Sequence, residues 1–186
     1  MKLYSIVSGL VLSGALASAQ ETTTPKIEVG ASYSLVRFNS GQGLREFTEN
    51  GGSGYIEYNL TKVVGLVADL GGYTNGTNNF KTFSYMFGPR FNMRRSRFTP
   101  YVQFLFGGNY AWVGSTAASP IVGTTQNGFA TAAGGGLDIN FTKHIAFKPI
   151  QVEYLMSQLP QPSTNANSIQ NNLRYSAGVV LRFGSE

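Results

Sequence analysis

The stretch Asn172–Phe183, N-L-R-Y-S-A-G-V-V-L-R-F, decides the fold. Its alternate residues Leu173, Tyr175, Ala177, Val179, Leu181 and Phe183 are all apolar. Asn172, Arg174, Ser176, Gly178 and Arg182 are polar or small, and only Val180 breaks the second series. A period of two is a β-strand with one apolar face. The run is long for a globular strand and suits a tilted strand of about 9–11 residues crossing a bilayer. Two arginines sharing a face with glycine and serine would line a dry core poorly. The faces are therefore inverted, with the apolar side toward lipid and the polar side toward a barrel lumen.

The same pattern recurs seven times upstream. It predicts strands over about 27–38, 52–60, 63–73, 82–93, 98–111, 127–141 and 145–156, with 172–183 as the eighth. The connections run long, short, long, short, long, short, long. In a meander this puts every short turn at one end with the termini and every long loop at the other. Outer-membrane barrels have that asymmetry, with short periplasmic turns and long external loops. The expected fold is all-β, an eight-stranded antiparallel up-and-down transmembrane β-barrel over residues 27–183, followed by a tail at 184–186. Aromatic residues gather near the strand ends, at Tyr58, Phe91, Phe98, Phe141 and Phe183 toward the turns. Toward the loops stand Phe38, Tyr73, Phe83, Tyr110, Trp112, Phe129 and Tyr175. Two such bands fit two water–lipid boundaries. Pro89, inside the fourth strand, gives up a ladder bond, so a bulge or strand end is expected beside it.

Composition agrees. Among 186 residues, 42% are hydrophobic and only 12% charged, while the mean hydropathy of −0.07 is far from that of a helical membrane protein. Cysteine is absent, which excludes disulfides, a thiol nucleophile and thiolate metal sites. The N-terminus has Lys2, an apolar run from Ile6 to Leu16, and Ala17-Ser18-Ala19, the layout of a cleaved export signal. Residues 1–19 read as signal peptide and 20–26 as a polar leader. Loss of Lys2 takes the fourteen Lys and Arg to thirteen, against nine Asp and Glu, a mature charge of +4. The export signal and the lack of a basic stripe oppose nucleic-acid binding.

The chain resembles the small OmpA/OmpX-type outer-membrane β-barrel family, often described as porin-like. The resemblance rests on F-G-P-R-F (Phe87–Phe91), G-G-G-L-D (Gly134–Asp138), P-I-Q-V-E-Y (Pro149–Tyr154) and the terminal strand. Within that strand, Ser176, Gly178, Leu181 and Phe183 resemble the C-terminal assembly signal of bacterial outer-membrane barrels, although Gly184-Ser185-Glu186 follow the aromatic. The resemblance implies residence in the bacterial outer membrane, with lipid, lipopolysaccharide and the barrel-assembly machinery as partners and a monomer as the favoured state. The peptidoglycan-binding domain of OmpA is not seen in this sequence.

No catalytic, cofactor or metal site is read. Lone His144 sits in a turn without convergent partners. Gly134–Gly136 lacks the Lys-Ser/Thr of a phosphate loop. Three glycosylation-like triplets, at Asn59, Asn75 and Asn140, read as chance matches. The inward acids and arginines read instead as a salt-bridge lattice, with three pairs expected: Glu57–Arg90, Glu28–Arg182 and Glu153–Arg174. The first is reached by setting Glu57 opposite Gly65 and letting it meet Arg90 over that glycine. Arg37, Arg45 and Lys81, near the external side, are expected to touch lipopolysaccharide phosphates. Strict alternation puts Lys148 at the lipid boundary with Ile150, Val152 and Tyr154, and this position is favoured. A bulge at Pro149 would instead turn Lys148 inward, toward Asp138.

The function expected is a filled barrel that anchors four external loops. The alternatives are a narrow pore for small solutes, although eight strands leave room for little beyond side chains, and a secreted lipocalin-like carrier, which would need an apolar lumen.

Overall fold

The computed structural model describes residues 24–39, 47–75, 80–113, 124–160 and 167–185. They form eight strands: β1 (Pro25–Asn39), β2 (Phe47–Asn59), β3 (Val64–Asn75), β4 (Phe80–Asn92), β5 (Phe98–Val113), β6 (Thr124–Asn140), β7 (Ile145–Pro160) and β8 (Asn167–Ser185). Every neighbouring pair is antiparallel, and β8 returns to β1 to close the barrel. Closure satisfies the backbone donors and acceptors of all strands without an open edge, a requirement for β-structure in lipid.

Side-chain facing follows the alternation in the sequence. Along β3 the outward Leu66, Ala68 and Leu70 are exposed while Gly65, Val67, Asp69 and Gly71 are buried. Outward aromatics near the turns, Tyr58, Phe91, Phe98, Phe141 and Phe183, and near the loops, Phe83, Trp112, Phe129 and Tyr175, are exposed. Tyr73 does not join the outer band; it is buried in the lumen. The side chain of Phe38 and residues 1–19, read from the sequence as a signal peptide, lie outside the described residues.

Strands β1 to β8 extend further toward the loop end than the alternation implies. β2 begins at Phe47 and β8 at Asn167, inside stretches read as loops. Beyond the lipid boundary the outer face meets water, so pairing continues while the need for an apolar outer face ends. The period-two signal stops before the ladder does.

Of the bulge or strand end expected beside Pro89, the strand end is found, since β4 stops at Asn92. There is no bulge: pairing with β5 lapses at Gly88 and Pro89, then resumes in the same register, Phe87↔Phe106 and Arg90↔Gln103. These two unpaired positions absorb the missing N–H. The bulge lies instead in β7, where the register against β8 shifts between Lys148 and Gln151, with a matching shift between Leu137 and Ile139 on β6. Two residues, Pro149 and Ile150, separate the inward Lys148 from the inward Gln151. Lys148 is thereby fully buried in the lumen and not at the lipid boundary. Proline cannot donate to a ladder, and a bulge removes that demand.

Candidate functional site

The lumen is the only place where polar chemistry gathers among the described residues, and it is organised in three levels. Its floor is built from the short turns. Leu60–Val63 and Phe141–His144 use one device twice. Thr61 Oγ1 accepts from Val64 N at 2.9 Å, and Thr142 Oγ1 accepts from Ile145 N at 3.0 Å. Two residues earlier, Asn59 and Asn140 aim into the barrel. Asn59 Nδ2 donates to Pro25 O (2.8 Å) and to Glu28 Oε1 (3.1 Å). Asn140 Oδ1 accepts from Arg182 Nη1 at 2.5 Å. The repeated N-L-T-K (Asn59–Lys62) and N-F-T-K (Asn140–Lys143) is thus a turn signature rather than a chance triplet, and it was visible in the sequence as a repeat.

Glu28 is the hub of the floor. It receives Arg182 Nε at 2.9 Å from the adjoining strand, its direct register partner, and Arg94 Nη2 at 2.5 Å. Arg94, from the short connection after β4, reaches inward and also donates to Asn59 Oδ1 at 2.8 Å. Asp138 Oδ2 lies 3.8 Å from Arg182 Nη2.

Above the floor runs a belt across the whole lumen. Arg90 Nη1 donates to Glu57 Oε2 at 2.9 Å and Arg90 Nε to Gln103 Oε1 at 2.7 Å. Gln103 Nε2 donates to Glu153 Oε1 at 2.7 Å. Arg174 Nε donates to Glu153 Oε2 at 2.6 Å, and Arg174 Nη1 to Asp69 Oδ1 (2.9 Å) and Tyr73 Oη (2.7 Å). The chain of contacts from Glu57 to Asp69 therefore links β2, β4, β5, β7, β8 and β3. Arg90, Gln103, Glu153 and Arg174 are each 0–1% exposed. The guanidinium of Arg90 lies between the rings of Tyr55 and Tyr101, at 4.4 and 4.3 Å.

The three charge pairs named from the sequence are each in contact here, Glu57–Arg90, Glu28–Arg182 and Glu153–Arg174. The register behind the first is corrected. Glu57 stands opposite Val67, and it is Asn59 that stands opposite Gly65. The turn occupies Leu60–Val63, which moves the pairing two residues along. Glu57 still slants over Gly65, since a Cβ there would collide with its carboxylate, and Gly65 stands opposite Arg90. The turned-in Lys148 donates to Gln151 Oε1 at 2.9 Å, with its ammonium 4.0 Å from the Tyr55 ring centre. Asp138, the partner named for an inward Lys148, is not the group it bonds.

The third level, toward the loops, is different. Val36, Met86, Ala130 and Leu155 line a cavity of about 20 Å³ together with Ser84, Asn109, Ser157 and Asn172. Glu49 belongs to this level, although sequence reading left it in a loop. It is buried, and its Oε2 accepts from Thr82 Oγ1 at 3.0 Å.

On the outer surface, Arg37 and Lys81 are exposed near the loop end, and Arg45 lies outside the described residues. In β8, Leu181 and Phe183 face outward. Ser176 faces the lumen and bonds Ser34 across the closing seam at 2.8 Å. Gly178 sits where any Cβ would strike the Ala31 carbonyl, so the seam strands approach closely. Among the described residues no three His, Cys, Asp or Glu side chains converge on a metal position, and no helix is long and apolar enough to cross a membrane.

The described residues thus form a closed eight-stranded barrel with an apolar outer belt and a charged interior. The outer membrane protein beta-barrel domain family matches residues 6–183. The chain belongs to this family. No curated protein matches it. Among solved structures it is similar to Neisserial surface protein A, with a TM-score of 0.67 and 15% identity, covering 85% of this chain and 97% of that one. It is also similar to Ail, the attachment invasion locus protein of Yersinia pestis, with a TM-score of 0.60 and 17% identity, covering 86% and 99%. The N-terminal barrel domain of Pseudomonas aeruginosa OprF gives 0.52 and 16%, covering 84% and 97%. At these identities the likeness carries the fold and nothing finer. Family membership makes this an outer-membrane barrel whose interior charges are its own to explain.

Proposed function

We propose that the protein is a non-enzymatic outer-membrane anchor, a barrel plugged by its own side chains that holds four loops at the cell surface. The observation that carries this reading is the unbroken belt from Glu57 through Arg90, Gln103, Glu153 and Arg174 to Asp69. A solute would have to break several charge-assisted hydrogen bonds in a water-poor lumen to pass, at a cost far above thermal energy. Residues 1–19 direct export, and Ser176, Gly178, Leu181 and Phe183 engage the assembly machinery. The mature chain resides in the bacterial outer membrane as a monomer. Arg37, Arg45 and Lys81 contact lipopolysaccharide phosphates beside the loops.

Conductance in planar bilayers tests the plug. The purified barrel is expected to give no steady openings above the lipid baseline, and the Arg90→Ala, Arg174→Ala double variant is expected to open. Steady openings of the native protein would replace the anchor with the narrow-pore reading.

A further inference from the structure

We propose that the turn end of the barrel binds anionic phospholipid, through a rim of cations that meets the headgroup phosphates of the leaflet at that end. The charges of the described residues are sorted by sign. All six described carboxylates, from Glu28 to Glu153, are buried in the lumen. Each of the three short turns carries an exposed cation, Lys62, Arg97 and Lys143. Arg95 is exposed beside Arg97, and Lys26 is half-buried at the start of β1. No described acid is exposed among them. Glu21 and Glu186 lie outside the described residues. The side chains of Lys62, Arg97 and Lys143 stand in water, so burial does not oppose their charge.

The turns fix where these cations stand. In the two related turns the Asn bonds inward and the Thr closes the loop, which leaves Lys62 and Lys143 outside. In the third, Asn140 N donates to Arg97 O at 2.9 Å and Asn140 Nδ2 to Arg95 O at 3.2 Å. Those bonds hold the arginine turn against the turn of Lys143. The Lys26 ammonium lies 5.7 Å from the Tyr58 ring centre. Tyr58, Phe98 and Phe141 are exposed members of the turn-end aromatic band, and such bands mark the water–lipid boundary. Arg97 adjoins Phe98, and Lys143 follows Phe141 by two residues. A strand rises only about 3.3 Å per residue, so the cations stand at headgroup depth. Phosphates of the leaflet are within their reach, whereas a polymer beyond the membrane is not. A lysine or arginine at an anionic membrane surface strengthens binding about fivefold. The rim lies at the opposite end from Arg37 and Lys81 and does not depend on whether the lumen conducts.

The test uses the full barrel folded in neutral detergent micelles that carry equal amounts of phosphatidylglycerol and phosphatidylcholine with the same acyl chains. The lipid that stays with the purified barrel is counted by mass spectrometry. At low salt the native protein is expected to retain phosphatidylglycerol over phosphatidylcholine by about fivefold. At about 1 M salt, where screening acts within about 3 Å, the preference is expected to vanish. Replacing all three turn cations, Lys62→Gln, Arg97→Gln and Lys143→Gln, is expected to bring the ratio toward parity. Lys62→Arg with Lys143→Arg is expected to keep it. Equal retention of both lipids by the native protein overturns the proposal, as does a triple variant that keeps the native preference. Should the triple variant not fold, the salt series on the native barrel decides, and a preference that survives high salt overturns the rim. Capture of the native barrel by purified peptidoglycan, with no preference between the lipids, gives the rim to the cell-wall polymer and likewise overturns it.

Discussion

Glu28 and Glu57 stand directly opposite each other on β1 and β2, two carboxylates facing the same lumen. Like charges across a strand pair repel, so each needs its own cation. Arg182 and Arg94 serve Glu28, and Arg90 serves Glu57, with Asn92 Nδ2 donating to Glu57 Oε1 at 2.5 Å. The two hubs couple floor to belt through repulsion as well as attraction.

Removing either partner of the Glu57–Arg90 pair should therefore be unequal. Arg90→Ala strands Glu57 beside Glu28 and also frees Gln103, and should cost about 3–5 kcal/mol. Glu57→Ala relieves the repulsion and should cost less. The double variant should cost little more than Arg90→Ala, with a coupling of about 0.5–3 kcal/mol. Urea unfolding of the detergent-folded barrel measures all three; losses that simply add would show that the pair does not interact.

Arg174→Lys should rescue little of the loss in Arg174→Ala. Arg174 satisfies Glu153 through Nε and both Asp69 and Tyr73 through Nη1. An ammonium is a point charge and cannot reproduce that fork. Equal stability of Lys and Arg at this position, read from the same unfolding curves, would remove the fork from the account.

Most of this fold was legible because the bilayer imposes period two on every spanning residue. Leu173 to Phe183 could hardly face any other way. The partners Glu28–Arg182 and Glu153–Arg174 are direct register neighbours, so counting along strands reaches them. Lys148 could not be placed by counting, because one bulge reverses facing and alternation carries no record of it; Pro149 was the only hint. The Arg174–Asp69 contact spans the lumen between strands that are not neighbours, and no local count connects them. Glu49 and the loop-side strand ends were hidden for a third reason: above the lipid, polar residues pair as well as apolar ones.

Lys148 should be chemically silent in the folded barrel. In detergent, an amine acylating reagent should modify exposed Lys62 and Lys143 in the turns and leave Lys148 intact until the barrel is unfolded. Peptide mass spectrometry reads the three sites together. Acylation of Lys148 at the rate of Lys62 would place it outside.

Gly88→Ala and Gly72→Ala should separate cleanly. A Cβ at Gly88 would strike the backbone carbonyl of Phe104 on the neighbouring strand, whereas one at Gly72 meets nothing within 4 Å. Forcing strands apart costs about 1–3 kcal/mol. Gly88→Ala should lower the unfolding midpoint and Gly72→Ala leave it unchanged.

Reversing charge at Arg37, Arg45 and Lys81 together should reduce the lipopolysaccharide that co-purifies with the barrel, and more so at low ionic strength, where exposed charges are less screened. Unchanged co-purification would leave these residues as ordinary surface charge.

The seam between β1 and β8 also sets a clock. Arg182 meets Glu28 across 154 positions of chain, and Ser176 meets Ser34 across 142. No other ladder in the ring joins strands so distant in sequence, and contacts of long range are slow to form because their loop entropy is lost first. The ring cannot shut until the last strand is available to pair with the first. Before that, β1 carries a free edge able to pair with any other chain. A barrel built this way keeps an open edge until its last strand docks, so closing the one β1–β8 seam protects every strand of the ring at once.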